Sequence, residues 1–243
     1  MFFWVSMHLI GFISIFYLWT AIFHSTNSTL PYTLPEIITY YILAGIIAQL
    51  TESHFEHEIN NDVRQGTLNN HILKPFSYIQ LNIMRSVGWH SIQVIIAGLV
   101  YAVIIFFLRD FFIINTNIIQ IEAIIIMMIL ASLFFVTISL LLGSLSFWMI
   151  NASPLFNIRE VLITFMTGAL VPINFFPETI QHIFSLLPFQ YLVFTPVNIY
   201  LGKLSNGEIF KAISILLFWT VVNGSIAIFV WKKGLTKYEG VGL

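Results

Sequence analysis

From Ile118 to Ile150 the sequence runs for 33 residues with one charged side chain, Glu122. As an α-helix this stretch would measure about 50 Å, against about 30 Å for the hydrocarbon core of a bilayer. It therefore reads as a membrane span that tilts, kinks or projects, with Glu122 one turn in and within reach of the interface. The rest of the chain agrees. Hydrophobic residues make up 58% and charged residues 9%, where soluble domains average about 25% charged. Mean hydropathy is +0.90.

At about 20 apolar residues per crossing, six crossings with short loops use most of the 243 residues, leaving no room for a soluble catalytic domain. The spans are expected at about Phe2–Phe23, Ile37–Leu50, Val87–Leu108, Ile118–Ile150, Val161–Val171 (starting earlier, near Leu155) and Ile209–Trp231. The expected fold is an all-α, polytopic membrane protein, one domain over 1–243. Met1–Phe23 has no Lys or Arg ahead of its apolar run and no small-x-small cleavage site after it, so it reads as a retained span. A net charge of −1 argues against nucleic acid, and the absence of cysteine excludes disulfides and thiolate metal sites.

Orientation follows from the basic residues near span ends. Arg64, Lys74, Arg85, Arg159, Lys232, Lys233 and Lys237 lie on one side, and Arg109, Lys203 and Lys211 on the other. Seven against three puts both termini in the cytoplasm of a multi-pass protein of the cell membrane. The sequon Asn27-Ser28-Thr29 then falls outside. So does the segment 172–205, cut by Pro172, Pro177, Pro188 and Pro196 into pieces too short to cross. Between Pro177 and Pro188, Ile180, Ile183, Phe184 and Leu187 follow i, i+3, i+4, i+7 spacing. That predicts a helix of about three turns at the outer interface, with Phe189–Gly202 as a second short piece.

The main polar interruption is the island His54–Gln80, within a connector at 53–80. It holds Glu56, Glu58, Asp62, Arg64 and Lys74, with Glu52 and Arg85 flanking it. Ile59 and Val63 at i, i+4 predict a short amphipathic helix that Gly66 ends. Thr67 is placed to cap a second one, with Leu68, Ile72 and Leu73 on its apolar side and Pro75 stopping it. Up to Leu73 the stretch is net acidic with one basic residue, a composition suited to a protein partner more than to anionic lipid.

Catalytic signatures are missing from the sequence. Gly202-Lys203 lacks the rest of a P-loop, and Gly143-Ser144-Leu145-Ser146 is no serine elbow. His54, His57 and Glu58 could share a helix face as metal ligands, but not in the H-E-x-x-H order, and no metal is expected. Apart from Glu122 and the lone His8 and His90, the spans lack the ionisable groups that ion-coupled carriers use. If the chain transports something, the energy enters from elsewhere. A self-contained channel or carrier, or a membrane-embedded hydrolase, are the competing classes.

Three stretches resemble the permease subunits of type-2 ATP-binding cassette (ABC) exporters. Asp62-Val63-Arg64-Gln65-Gly66-Thr67-Leu68 followed by Leu73-Lys74-Pro75 is similar to that family's cytoplasmic signature between spans two and three. Val171-Pro172-Ile173, Phe176-Pro177, Leu187-Pro188-Phe189, Pro196 and Leu201-Gly202 resemble its external segment. Trp231-Lys232-Lys233-Gly234 with Tyr238-Glu239-Gly240 resembles its W-x-x-G-x-x-x-Y-x-G tail. Family members usually start with a basic amphipathic helix, whereas this sequence enters its apolar stretch at Phe2.

The resemblance implies a non-enzymatic permease that pairs with a second permease, identical or related, in the lipid bilayer. Each would dock a coupling helix on a separate cytoplasmic ATPase, which alone would hold ATP and Mg. Glu58, Asp62, Arg64, Gly66, Thr67, Leu68, Lys74 and Pro75 would form the coupling element. Spans two and five would line the pathway, with Tyr40, Tyr41, Gln49, Thr164, Phe165 and Thr167 as candidates.

Overall fold

A computed structural model describes residues 2–25, 30–72, 77–149 and 151–238. Ten α-helices and no strand occur among them: α1 Phe2–Ser25, α2 Leu34–Thr51, α3 Glu56–Arg64, α4 Asn69–Ile72, α5 Tyr78–Phe107, α6 Ile118–Ser144, α7 Ser153–Met166, α8 Glu178–Leu186, α9 Phe194–Tyr200 and α10 Asn206–Lys237. Among the described residues four helical stretches, within Leu34–Arg64, Tyr78–Phe107, Ile118–Phe147 and Asn206–Lys237, are long and apolar enough to cross a membrane, or five if the bent pair Glu178–Leu186 and Phe189–Tyr200 counts as one span.

Sequence and structure part at specific boundaries. α5 begins at Tyr78, nine residues ahead of the expected third span, so the end of the polar island is already helical. The long apolar run at Ile118 is helical only to Ser144, then tightens into a 3-10 turn, Leu145–Phe147. The expected fifth span starts earlier and stops sooner. α7 is 14 residues, about 21 Å long, and ends where Gly168 adopts φ +79°. A β-carbon there would lie 3.0 Å from the Tyr40 hydroxyl, so the turn needs both the left-handed backbone and the missing side chain.

The helix starts follow from local chemistry. Thr33 caps α2 and Ser205 caps α10, each in a reciprocal box with the glutamate three residues on, Glu36 and Glu208. Asn117 caps α6 by accepting from the Ile119 and Gln120 amides. The centre of the bundle is α6 against α10, where Asn223 donates to Thr137 at 2.7 Å. Around it α2 is enclosed, with Ile37, Ile38, Tyr40 and Ile42 fully buried.

At the end of the bundle away from α3, α8 and the 3-10 turn Phe189–Tyr191 with α9 form two arms bent by 82°. α8 coincides with the expected amphipathic helix, and of its apolar residues Phe184 is the buried one. Lys203 closes this end, bonding Glu36 at 3.0 Å and lying 4.1 Å over the Tyr32 ring.

Candidate functional site

At the opposite end α3 lies across the bundle, its inner face sealed and its outer face open. Ile59 is fully buried against Gly143 of α6, where a β-carbon would come within 2.6 Å of the Ile59 side chain. Glycine at 143 is therefore what lets α3 sit directly on α6. His57, Glu58, Asn61, Arg64 and Gln65 are exposed, Glu58 at the edge that also borders a cleft between α2 and α5.

Three attachments fix this helix. The first is a buried ion pair. Arg159 of α7 donates through Nη1 to the Glu56 carboxylate and through Nη2 to the Ser53 carbonyl at 2.9 Å. Glu56 is fully buried and Arg159 is 6% exposed, with the guanidinium 5.8 Å from the Phe135 ring centre. Ser139 donates to the same Ser53 carbonyl at 2.7 Å.

His54 stands beside this pair, with Nε2 3.5 Å from Glu52 and Nδ1 3.8 Å from Glu56. The Glu52 carboxylate, then that of Glu56, raises its pKa from 6.5 to about 9, against the opposing effects of burial and Arg159. A neutral ring could accept from Arg159, whose Nη1 is 3.1 Å from Nδ1. The two carboxylates favour the charged ring, so two cations share Glu56. Burial pushes the Glu56 pKa up, but His54 and Arg159 outweigh it and hold it below 4.5.

The second attachment is Asn60, 1% exposed. Its Oδ1 accepts from Ser146 Oγ at 3.1 Å and the Ala152 amide at 3.2 Å, and its Nδ2 donates to Ser153 Oγ at 3.3 Å. It thus ties α3 to the connection between α6 and α7.

The third runs through the end of the segment. Gly66, at φ +72°, turns the chain so that the Leu68 amide reaches the Asp62 carbonyl at 3.2 Å. Leu68 is then fully buried with Phe55, Ile59, Leu140 and Trp231. Thr67 does not cap α4 through its side chain, as the sequence suggests. Its hydroxyl donates back to Asp62 at 2.7 Å, which also accepts from Tyr78 at 2.6 Å. Tyr78 stacks on Trp231 of α10, rings 5.6 Å apart and 3° from parallel.

This last contact explains the C-terminal motif. Trp231 carries the stack, Gly234 leaves the space that the Phe147 ring fills, and Tyr238 meets Phe147 edge-on at 5.9 Å. Leu73, Lys74 and Pro75 of the island, the sequon Asn27-Ser28-Thr29, and Glu239 and Gly240 lie outside the described residues.

Of the expected pathway residues, Tyr40 and Thr167 are buried within the subunit and Tyr41 is 7% exposed. Tyr40 donates to the Gly168 carbonyl at 2.8 Å and Tyr41 to that of Leu170 at 3.0 Å, so both hold the turn after α7. Thr167 donates to the Thr164 carbonyl at 3.3 Å. Gln49, Thr164 and Phe165 remain partly or fully open. Among the described residues no three His, Asp or Glu side chains converge as metal ligands, and His57 instead packs 4.9 Å edge-on to Phe156.

Against this geometry, a family model described as ABC-2 family transporter protein matches residues 9–242. The chain belongs to the ABC-2 transporter family. Neither the curated proteins nor the solved structures contain a significant match to it. The family and the apolar helices together make it a multi-pass membrane protein and the permease component of an ABC-2 type transporter. Sequence reasoning missed Glu56, Asn60 and Arg159, the residues that fasten the polar segment of this ABC-2 permease to its bundle. The signal available was an acidic residue facing the apolar side of α3, and a basic residue within an apolar helix.

Proposed function

We propose that this ABC-2 permease is the transmembrane subunit of an ATP-driven exporter, with α3 as its coupling helix. Two copies, or one copy and a related subunit, enclose the pathway, and each presents the segment 53–80 to a separate cytoplasmic ATPase. ATP and Mg are held by that ATPase. Its closure on ATP pushes α3, the pathway turns from inward- to outward-facing, and hydrolysis resets it. The spans are α1, α2, α5, α6, α7 and α10, both termini are cytoplasmic, and α8 and α9 lie at the outer interface within 172–205. Gln49, Thr164 and Phe165 face the pathway, while Tyr40, Tyr41 and Thr167 brace it from behind.

One observation carries this reading. α3 is polar and exposed on its outer face, yet its inner face is locked at once to α6, α7 and α10 through Ile59, Arg159 and the Asp62–Tyr78–Trp231 chain. A helix needed only to link two spans has no use for so many attachments. A lever that must move several spans together does. The test is co-expression with a P-loop ATPase from the same source. The complex should co-purify and hydrolyse ATP, and reversing charge at exposed Arg64 or Glu58 should weaken it. ATP-independent transport by the purified permease alone would sink the proposal.

A further inference from the structure

Between α2 and α5, beside α3, opens a cleft of about 820 Å³. Each long wall is one helical stripe. α2 and its C-cap contribute Gly45, Ala48, Gln49 and Glu52, and α5 contributes Asn82, Ser86, Trp89 and Gln93. Polar side chains on apolar helices, here Gln49, Asn82, Ser86 and Gln93, are costly to face toward lipid and commonly mark a pathway or a ligand site.

Asn82 indicates what the ligand must supply. Its side chain is fully buried at the cleft wall, and its Nδ2 donates to the Tyr78 carbonyl at 3.1 Å. Among the described residues its Oδ1 has no hydrogen-bond partner. A buried acceptor of this kind calls for a donor. The rim adds a sign. Glu52 and His54 are paired, leaving Glu58 and Glu160 against Arg85 among the charged residues lining the cleft, two carboxylates to one guanidinium. Trp89, 61% exposed, offers an indole face suited to a cation.

The cleft also has an apolar continuation. A groove of about 350 Å³, walled by Gly11, Phe12 and Ile15 of α1 and by Ala169, shares Gly45, Ala48 and Tyr101 with it. Tyr101 marks the junction, its phenol occupying the space that a β-carbon on Gly45 would take.

We infer that cleft and groove together bind an amphiphile with a primary ammonium head. Its N–H groups donate to Asn82 Oδ1, its charge faces Glu58 and Glu160, and its alkyl chain passes Tyr101 into the α1 groove. That this ligand is the cargo rests on the exporter reading. Binding itself does not, and it is measured without any ATPase, so the two fail separately.

The probe is dodecylamine carrying a terminal diazirine, photolysed with the full chain in nanodiscs and mapped by peptide mass. Label should fall on the Gly11–Ile15 stretch and on Tyr101. Unlabelled dodecylamine should displace it, whereas dodecyl sulfate, dodecyltrimethylammonium (no N–H donor) and butylamine (no chain) should not at the same concentration. Asn82→Leu should lower labelling about tenfold, the value of one charge-assisted hydrogen bond. Asn82→Asp, of the same shape with a charge added, should raise it, and keeps the test decisive if the leucine variant misfolds. Equal displacement by the quaternary amine or by butylamine overturns the proposed ligand. So does label spread over lipid-facing residues such as Ile95 and Phe107 and indifferent to both Asn82 variants.

Discussion

Arg159 grips the Glu56 carboxylate across 103 residues of sequence, and both side chains are shut away from solvent. Removing one partner strands the other as a buried charge, which costs about 3–5 kcal/mol, whereas replacing both with apolar groups of similar size is often neutral. Arg159→Met should therefore lower the thermal unfolding midpoint of the detergent-solubilised protein sharply. Glu56→Leu with Arg159→Met should recover most of the loss. If the double variant is as unstable as the single one, the pair is not what holds α3 to α7.

The same corner predicts a pH dependence. The folded state raises the His54 pKa from 6.5 to about 9. Its contribution is therefore fully present below about pH 6.5 and fades as pH rises through about 9. Glu56 works oppositely, since its depressed pKa gives stability that is present above 4.5 and lost as pH falls further. Unfolding midpoints measured from pH 6 to 10 should decline, and His54→Gln should flatten that decline. An unchanged slope in the variant would remove His54 from the account.

Gly66 sits at φ +72°, where a β-branched residue costs about 2 kcal/mol or more. Gly66→Val should release Leu68 from its buried site and open the Gln65–Leu68 turn to proteolysis, while α6 and α10 keep their protection from hydrogen exchange. Equal protection of the turn in the variant and the parent protein would contradict this.

Topology can be tested without background because the chain has no cysteine. Cysteines at exposed His182 on α8 and exposed Asn61 on α3 should react with a membrane-impermeant maleimide from opposite sides, His182→Cys from outside intact cells. Labelling of both from one side would overturn the proposed orientation.

What could be read from the sequence was whatever repeats locally. Ile180, Ile183, Phe184 and Leu187 are periodic, and α8 lies where they place it. Gly66 needs only its own dihedral angle, and its turn is where the sequence puts it. Hydropathy, however, marks where lipid begins, and hydrogen bonding decides where a helix begins. That is why α5 starts among polar residues at Tyr78 and α7 stops at Met166, ahead of the left-handed Gly168. Pairings made in three dimensions have no period in the sequence that names the partner. Arg159 counted only toward orientation, Asn60 had no neighbour in sequence to bond, and the purpose of Trp231 and Gly234 emerged only from Tyr78 and Phe147 packed on them. The tyrosines of α2 are expected in the pathway because the resemblance puts span two there, yet their hydroxyls donate to carbonyls after α7.

The central claim, that α3 is where energy enters, is tested most directly by a photoreactive amino acid at exposed Asn61, irradiated in the membranes of cells that express the protein. The account predicts one dominant adduct with a P-loop ATPase, lost when Arg64 and Glu58 are charge-reversed, while an equivalent probe at His182 gives none. An Asn61 probe that captures lipid alone, with no ATPase in any adduct, would contradict it.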